Sequence, residues 1–324
     1  FRIVDTRATL DPDESSVATH GRDVSPERLE REMLQAGVVR AVASPGQRAP
    51  GRSYLRANNA VARLSIDRPF VAFARLNGPR DPGTGPLSAV RNLRAERDDH
   101  HARPDDVEQY SYDDRFHGFT LVPHADGLPN EDVLTRLEAA DLPVIVHAGT
   151  RFPPEAVERE LLDYDMPVVL ASFGGYPLDA DLMNETLDLL DEYDQLSVET
   201  SAVRYREVLE RGVLEHPDRV LFGSGAPDVH PHVRLVAVLR RNRVGLVVGE
   251  AGGVLDPFGG LRVELLFDVL EVVDERQRVV ALRLVVDVAV FEVELRLFVA
   301  LGRGDHILVD GVGTGVEAEE RDED

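Results

Sequence analysis

Short apolar runs alternate along residues 1–235 with longer amphipathic stretches, and the two periods interleave regularly. Strands are predicted at Arg2–Asp5, Val38–Ala43, Phe70–Leu76, Phe116–Leu121, Pro143–His147, Val168–Ala171, Leu196–Glu199 and Val220–Phe222, eight in all. Helices are predicted between them. The first opens at Ser25-Pro26-Glu27, with a Ser cap, a Pro at the first helical position and an acid in the first turn, and it stops at Gly37. Others cover Tyr54–Ile66, Glu131–Ala140, Pro154–Tyr164, Asp181–Tyr193 and Tyr205–His216, and Val233–Arg241 begins an eighth. Asn77–Gly85 reads as a Gly/Pro loop, and the charged stretch 86–113 as a helix with a solvated insertion. Such βα alternation specifies a parallel sheet, and eight units close a (β/α)8 TIM barrel whose chemistry gathers at the strands' carboxyl ends.

Beyond about Val236 the pattern changes. No Ser, Tyr, Met or Lys occurs there. Roughly a quarter of residues 236–316 are Val against roughly a tenth before them, a step that one uniform domain would not show. Val285–Leu301 favours strands by β-branching, with a slip in alternation near Phe291, and the acidic 317–324 segment reads as a disordered tail. Two explanations compete for this atypical Val-rich C-terminal region: a small β-rich appendage, or translation of a GC-rich gene out of frame.

Composition then narrows the function classes. Among the 324 residues, 59 acids face 36 bases, all of them Arg, for a net charge of −23. That charge argues against nucleic-acid and membrane partners and suits a halophilic, salt-rich cytosol, although GC-rich codon usage also explains the absence of Lys. With no Cys, disulfides, thiolate metal sites and cysteine nucleophiles are excluded. No apolar run reaches membrane-span length and no leader is visible, so a cytoplasmic protein is expected. Phe1 stands where a Met would, so a few leading residues are expected to precede it.

The strand ends carry a family resemblance. The stretches are Ile3-Val4-Asp5, Ala57-Asn58-Asn59-Ala60-Val61-Ala62, Pro143-Val144-Ile145-Val146-His147-Ala148-Gly149, Leu170-Ala171-Ser172-Phe173-Gly174-Gly175-Tyr176-Pro177 and Leu221-Phe222-Gly223-Ser224-Gly225-Ala226-Pro227. Together they resemble the amidohydrolase superfamily, in the branch of metal-dependent decarboxylases and hydrolases of small carboxylated substrates. The resemblance covers residues 1–235. It implies a divalent metal such as Zn2+, held by a His-x-His pair, two further His and an Asp, that acidifies a bound water. Here those positions are Arg7 and Thr9, His147, Ser172 and Gly225. Only His147 is a ligand, and Arg7 would place a fixed charge at the metal position, so no metal or other cofactor is expected unless the site has been rebuilt.

Candidate residues follow. His147 and Asp5 are candidate catalytic groups, each with the alternative of a relic that only hydrogen-bonds its neighbours. Arg7 is placed either to bind a substrate carboxylate or to neutralise Asp5 or Glu199. His124, Glu199, Asp228 and His230 lie in loops or strand ends on the same face, as substrate contacts or, with His147, as a rebuilt metal site; loop histidines are more often merely solvated. His100-His101 is expected at the surface, Ser172 lacks a nucleophile elbow, and Gly174-Gly175 serves a turn. Three functions remain open. The first is a metal-independent hydrolase or a binder of a small carboxylated molecule at the barrel mouth. The others are a hydrolase with a rebuilt metal site and an inactive partner subunit; a homodimer is a further option.

Overall fold

In a computed structural model of the chain, residues 3–12, 25–241, 268–274, 277–288 and 291–299 are described. Eight strands lie parallel in chain order: β1 (Ile3–Leu10), β2 (Val38–Pro45), β3 (Phe70–Leu76), β4 (Phe116–Leu121), β5 (Val144–Val146), β6 (Val168–Leu170), β7 (Leu196–Glu199) and β8 (Val220–Leu221). Backbone bonds close the ring between its ends. Thr6 N–H donates to the Phe222 carbonyl at 2.8 Å, Thr9 N–H to that of Ala226 at 2.8 Å, and Gly225 N–H to that of Arg7 at 3.1 Å. This is the predicted (β/α)8 barrel.

Helices clothe the ring: α1 (Pro26–Ala36), α2 (Leu55–Asp67), α3 (Pro86–Asn92), α4 (Pro104–Ser111), α5 (Pro123–Asp126), α6 (Glu131–Ala140), α7 (Pro154–Leu161), α8 (Ala180–Glu192), α9 (Arg206–Glu215) and α10 (Pro231–Arg241). The Ser25 side chain caps α1 by accepting from Arg28 N–H, and Gly37 ends it at φ 70°, where glycine alone is free of Cβ strain. The stretch 86–113 is less solvated than its charge implies. It forms α3 and α4, and Val107 and Tyr110, one helical turn apart, are buried against the barrel core. The domain limit expected at residue 235 falls inside α10, which packs on α1 and α9.

Two apolar layers follow from the period of 2 along each strand. Val42, Val71, Phe73, Ile145, Val169 and Ala171 pack together in the barrel interior, while Ala72, Ala74, Val144, Val146, Val168 and Leu170 join the shell under the helices. Phe73 is fully buried, and Gly118 makes room for it: a Cβ there would stand 2.4 Å from the ring. Truncating Phe73 to Ala would cost about 3–5 kcal/mol.

A second compact unit contains the remaining strands, β9 (Asp268–Asp274), β10 (Gln277–Val288) and β11 (Phe291–Val299), in an antiparallel sheet ordered β11-β10-β9. The expected acidic tail at 317–324 lies outside the described residues. Among the described residues no helix is long and apolar enough to cross a membrane.

Candidate functional site

The inward register carries side chains near the strands' carboxyl ends to the barrel mouth. On β1 the residue so placed is Arg7, and the carboxyl ends of three strands, β5, β6 and β7, meet its guanidinium. Nη1 donates to Ser172 Oγ at 3.2 Å and to Ser201 Oγ, and it lies 3.5 Å from Glu199 Oε1. Nη2 lies 3.3 Å from His147 Nδ1. Arg7 thus neutralises Glu199. Two of its five N–H groups, that on Nε and one on Nη2, have no hydrogen-bond partner among the described residues. Its side chain keeps 17% exposure.

The two carboxylates beside it are committed to the backbone. Glu199 Oε1 accepts from Ser172 N–H at 2.7 Å and Ser201 Oγ at 2.5 Å, and Oε2 accepts from Ser201 N–H at 2.6 Å. Gly223, just past the end of β8, permits this seat, since a Cβ there would stand 1.8 Å from Glu199 Oε2. Asp5 is fully buried and staples β1 to the residues after β8: Oδ1 accepts from Ser224 N–H at 2.8 Å and Arg7 N–H at 3.1 Å, and Oδ2 from Ser224 Oγ. Burial pushes its carboxyl up to about 6, against the pull of the Ser224 and Arg7 donors.

His147 is half-buried at the end of β5, its N–H bonded to the Leu121 carbonyl at 2.9 Å. Burial first, then the charges of Arg7 and Arg75, hold its pKa well below the ordinary histidine value. The ring is neutral near pH 7. Because Nδ1 faces an arginine donor, it acts as acceptor and the proton sits on Nε2. After β6 the backbone turns sharply, with Ser172 at φ 56° and Phe173 at φ 53°. Two successive non-glycine residues in the left-handed region mark local strain at this corner, which is what aims Ser172 N–H and Oγ at Glu199 and Arg7.

Asp5, Arg7, His147 and Glu199 therefore converge, while the other candidates spread outward. His124 stacks on Tyr176 with ring centroids 6.0 Å apart, and burial and nearby Arg151 lower its pKa. Asp228 is exposed, with its N–H on the Gly225 carbonyl at 3.0 Å, and His230 bonds Gln35 of α1 at 3.0 Å. Neither is seen to touch the Arg7 cluster. Gly225, at φ 72°, has space for a Cβ only 3.2 Å from that of Ser201.

Sequence reasoning missed Arg75, Ser201 and Ser224. Arg75 follows Val71 and Phe73 in the inward register of β3, and its Nε donates to Asp126 Oδ2 at 2.7 Å. A charge at the third inward position of an apolar strand was the available signal. The serines carry no such signal.

The resemblance carried by the strand-end stretches implies a divalent metal at this mouth, and the residues present do not fit one. The guanidinium of Arg7 occupies the space between His147, Ser172, Ser201 and Glu199, and His147 spends Nδ1 on it. Among the described residues, one cluster of three His or acidic side chains suits a metal, Asp98, His100 and His101, and it lies in the loop before α4.

No family model matches the sequence, and no curated protein matches it. Solved structures do. A dihydroorotase crystal structure aligns with 87% of this chain and 88% of its own at 14% identity, with a TM-score of 0.52. A 5-carboxyvanillate decarboxylase from Sphingomonas paucimobilis aligns over 76% and 96% at 16% identity and TM-score 0.47. A 2,6-dihydroxybenzoate decarboxylase in complex with 2,6-dihydroxybenzoate aligns over 75% and 96% at 15% identity and TM-score 0.47. The dihydroorotase comparison shows the fold: this chain is a (β/α)8 barrel.

Proposed function

We propose that the barrel mouth is a metal-independent binding site for a small carboxylated molecule, with Arg7 as its anchor. The observation that carries this reading is the Arg7 guanidinium, fixed by two serines, Glu199 and His147 yet left with two N–H donors. A carboxylate accepts two such donors in one plane, and charge-assisted bonds of this kind contribute about 1.5–3 kcal/mol each. The Nε2–H of neutral His147 adds a third donor. Glu199 and Asp5 have their oxygens occupied by backbone and serine donors, so they hold the site's shape.

Binding accounts for this geometry better than hydrolysis does. A hydrolase without metal needs a base, and Asp5 is fully buried while His147 Nδ1 faces an arginine. The rebuilt metal site has less support, because His230 is engaged with Gln35 and Asp228 is exposed.

Calorimetric titration with acetate, malonate, succinate and benzoate in the presence of EDTA tests the proposal. At least one should bind, and Arg7→Gln should weaken it about tenfold or more. Affinity that requires added Zn2+, or that survives Arg7→Gln unchanged, refutes it.

A further inference from the structure

The cluster before α4 is a separate matter from the mouth. The ligand atoms of Asp98, His100 and His101 lie within 4.8 Å of one another, and the two imidazole centroids are 4.0 Å apart. Ligands on one Zn2+ stand about 3–4 Å apart given bonds of roughly 2 Å, so small side-chain rotations suffice. Arg103 pairs with Asp99 at 2.8 Å, and Arg97 with Asp132. The Asp98 carboxylate and both nitrogens of His100 have no hydrogen-bond or ion-pair partner among the described residues.

The backbone beneath is already set. Buried Asn77 grips the loop on both sides, donating from Nδ2 to the His100 carbonyl at 3.1 Å and accepting from Ala102 N–H at Oδ1, also at 3.1 Å. His101 N–H closes a turn onto the Asp98 carbonyl at 3.1 Å. Asp98 N–H in turn donates to His101 Nδ1 at 3.0 Å, so that nitrogen carries a lone pair, and a metal there would exchange one N–H···N bond for a metal–nitrogen bond. Beside the loop is a cavity of about 260 Å3, walled by His100, His101, Asn77, Tyr54, Arg75 and Arg103, which gives room for the ion's water ligands.

We infer that Asp98, His100 and His101 form a peripheral site for a late divalent transition metal, Zn2+, Ni2+ or Cu2+, completed by water. Two imidazoles and one carboxylate favour these ions over Mg2+ and Ca2+, which take oxygen ligands. The site is independent of Arg7 and of carboxylate binding.

Equilibrium dialysis of the EDTA-stripped full chain against Zn2+, with elemental analysis, reads it directly. About one equivalent should bind with micromolar affinity, and His100→Ala with His101→Ala should weaken binding at least about tenfold. His230→Ala with His232→Ala should leave it unchanged. Cu2+ loaded at one equivalent should show two-nitrogen ligation by electron paramagnetic resonance, lost in the His100/His101 variant. An absence of bound metal at 100-fold excess over protein overturns the inference. So does occupancy indifferent to His100 and His101, or abolished by the His230/His232 changes.

Discussion

Two arginines stand at the barrel mouth in the same inward register, Arg7 on β1 and Arg75 on β3, and their surroundings differ in kind. Arg75 is locked. Its Nε is 2.7 Å from Asp126 Oδ2, its Nη1 donates to the Pro45 carbonyl at 3.0 Å, and its guanidinium carbon lies 5.0 Å from the Tyr54 ring centre. Tyr54 completes the unit by donating to the other Asp126 oxygen at 2.8 Å, and burial raises its phenol well above the usual value. Arg7 has twice the side-chain exposure, 17% against 8%, and it faces serine hydroxyls and an imidazole more than a dedicated carboxylate. Both guanidiniums keep N–H donors without a partner among the described residues, so what separates them is that Arg75 has its own acid, while Arg7 shares Glu199 with backbone and serine donors and is the more exposed.

The sharpest test of that contrast is stability. Arg75→Met strands Asp126 in the interior and should cost about 3–5 kcal/mol in urea unfolding. Arg7→Met leaves Glu199 with its backbone and serine donors and should cost less than half as much. Equal losses would erase the distinction.

Acid titration comes next in size. Asp5 has its pKa raised to about 6 from 3.8, so the folded state binds the proton more tightly than the unfolded chain. The stability it contributes is full below pH 3.8 and lost as pH rises through about 6, on the order of 3 kcal/mol in all. Asp5→Asn should therefore gain on the parent chain by that amount between pH 3.5 and 7. A constant offset across this window would mean that Asp5 titrates normally.

A smaller loss should follow Gly223→Ala, whose methyl collides with Glu199 Oε2 and displaces the carboxylate that holds Ser172, Ser201 and Arg7; about 1–3 kcal/mol is expected. Carboxylate affinity should fall with it. Retained affinity would detach Glu199 from the site. Smallest of all, raising KCl from 0.1 to 2 M should lift the melting temperature by about a few degrees, because counter-ions relieve self-repulsion at −23. The buried Arg75 pair is insensitive to salt, so the gain should persist in a chain carrying Arg75→Met.

Much of the barrel was legible because strand and helix periods are written into contiguous residues. The Ser25 cap, the Gly37 stop and the strand-end His147 were all placed from local pattern. What escaped depends on packing across the ring. Arg7 offered two partners on paper, and only the closed barrel brings Ser201, 194 residues away, to its Nη1. Asp5 was open to a catalytic or a merely hydrogen-bonded reading, and only the closed barrel brings Ser224, 219 residues distant, to its carboxylate. The acids of the stretch 86–113 concealed Val107 and Tyr110, since a short helix with two apolar anchors has little periodicity to detect.

The seam between β1 and β8 has a consequence for synthesis. Thr6 and its partner Phe222 are separated by 216 residues, so the first strand is made long before the last can close the ring. At about 5–20 residues per second, roughly ten to forty seconds pass with β1 paired only to β2. During that interval its outer edge is an unprotected template for other nascent chains. A ribosome pausing before residue 220 would lengthen this exposure, and a chaperone that shields the β1 edge would raise the yield of closed barrels more than one acting on the finished chain.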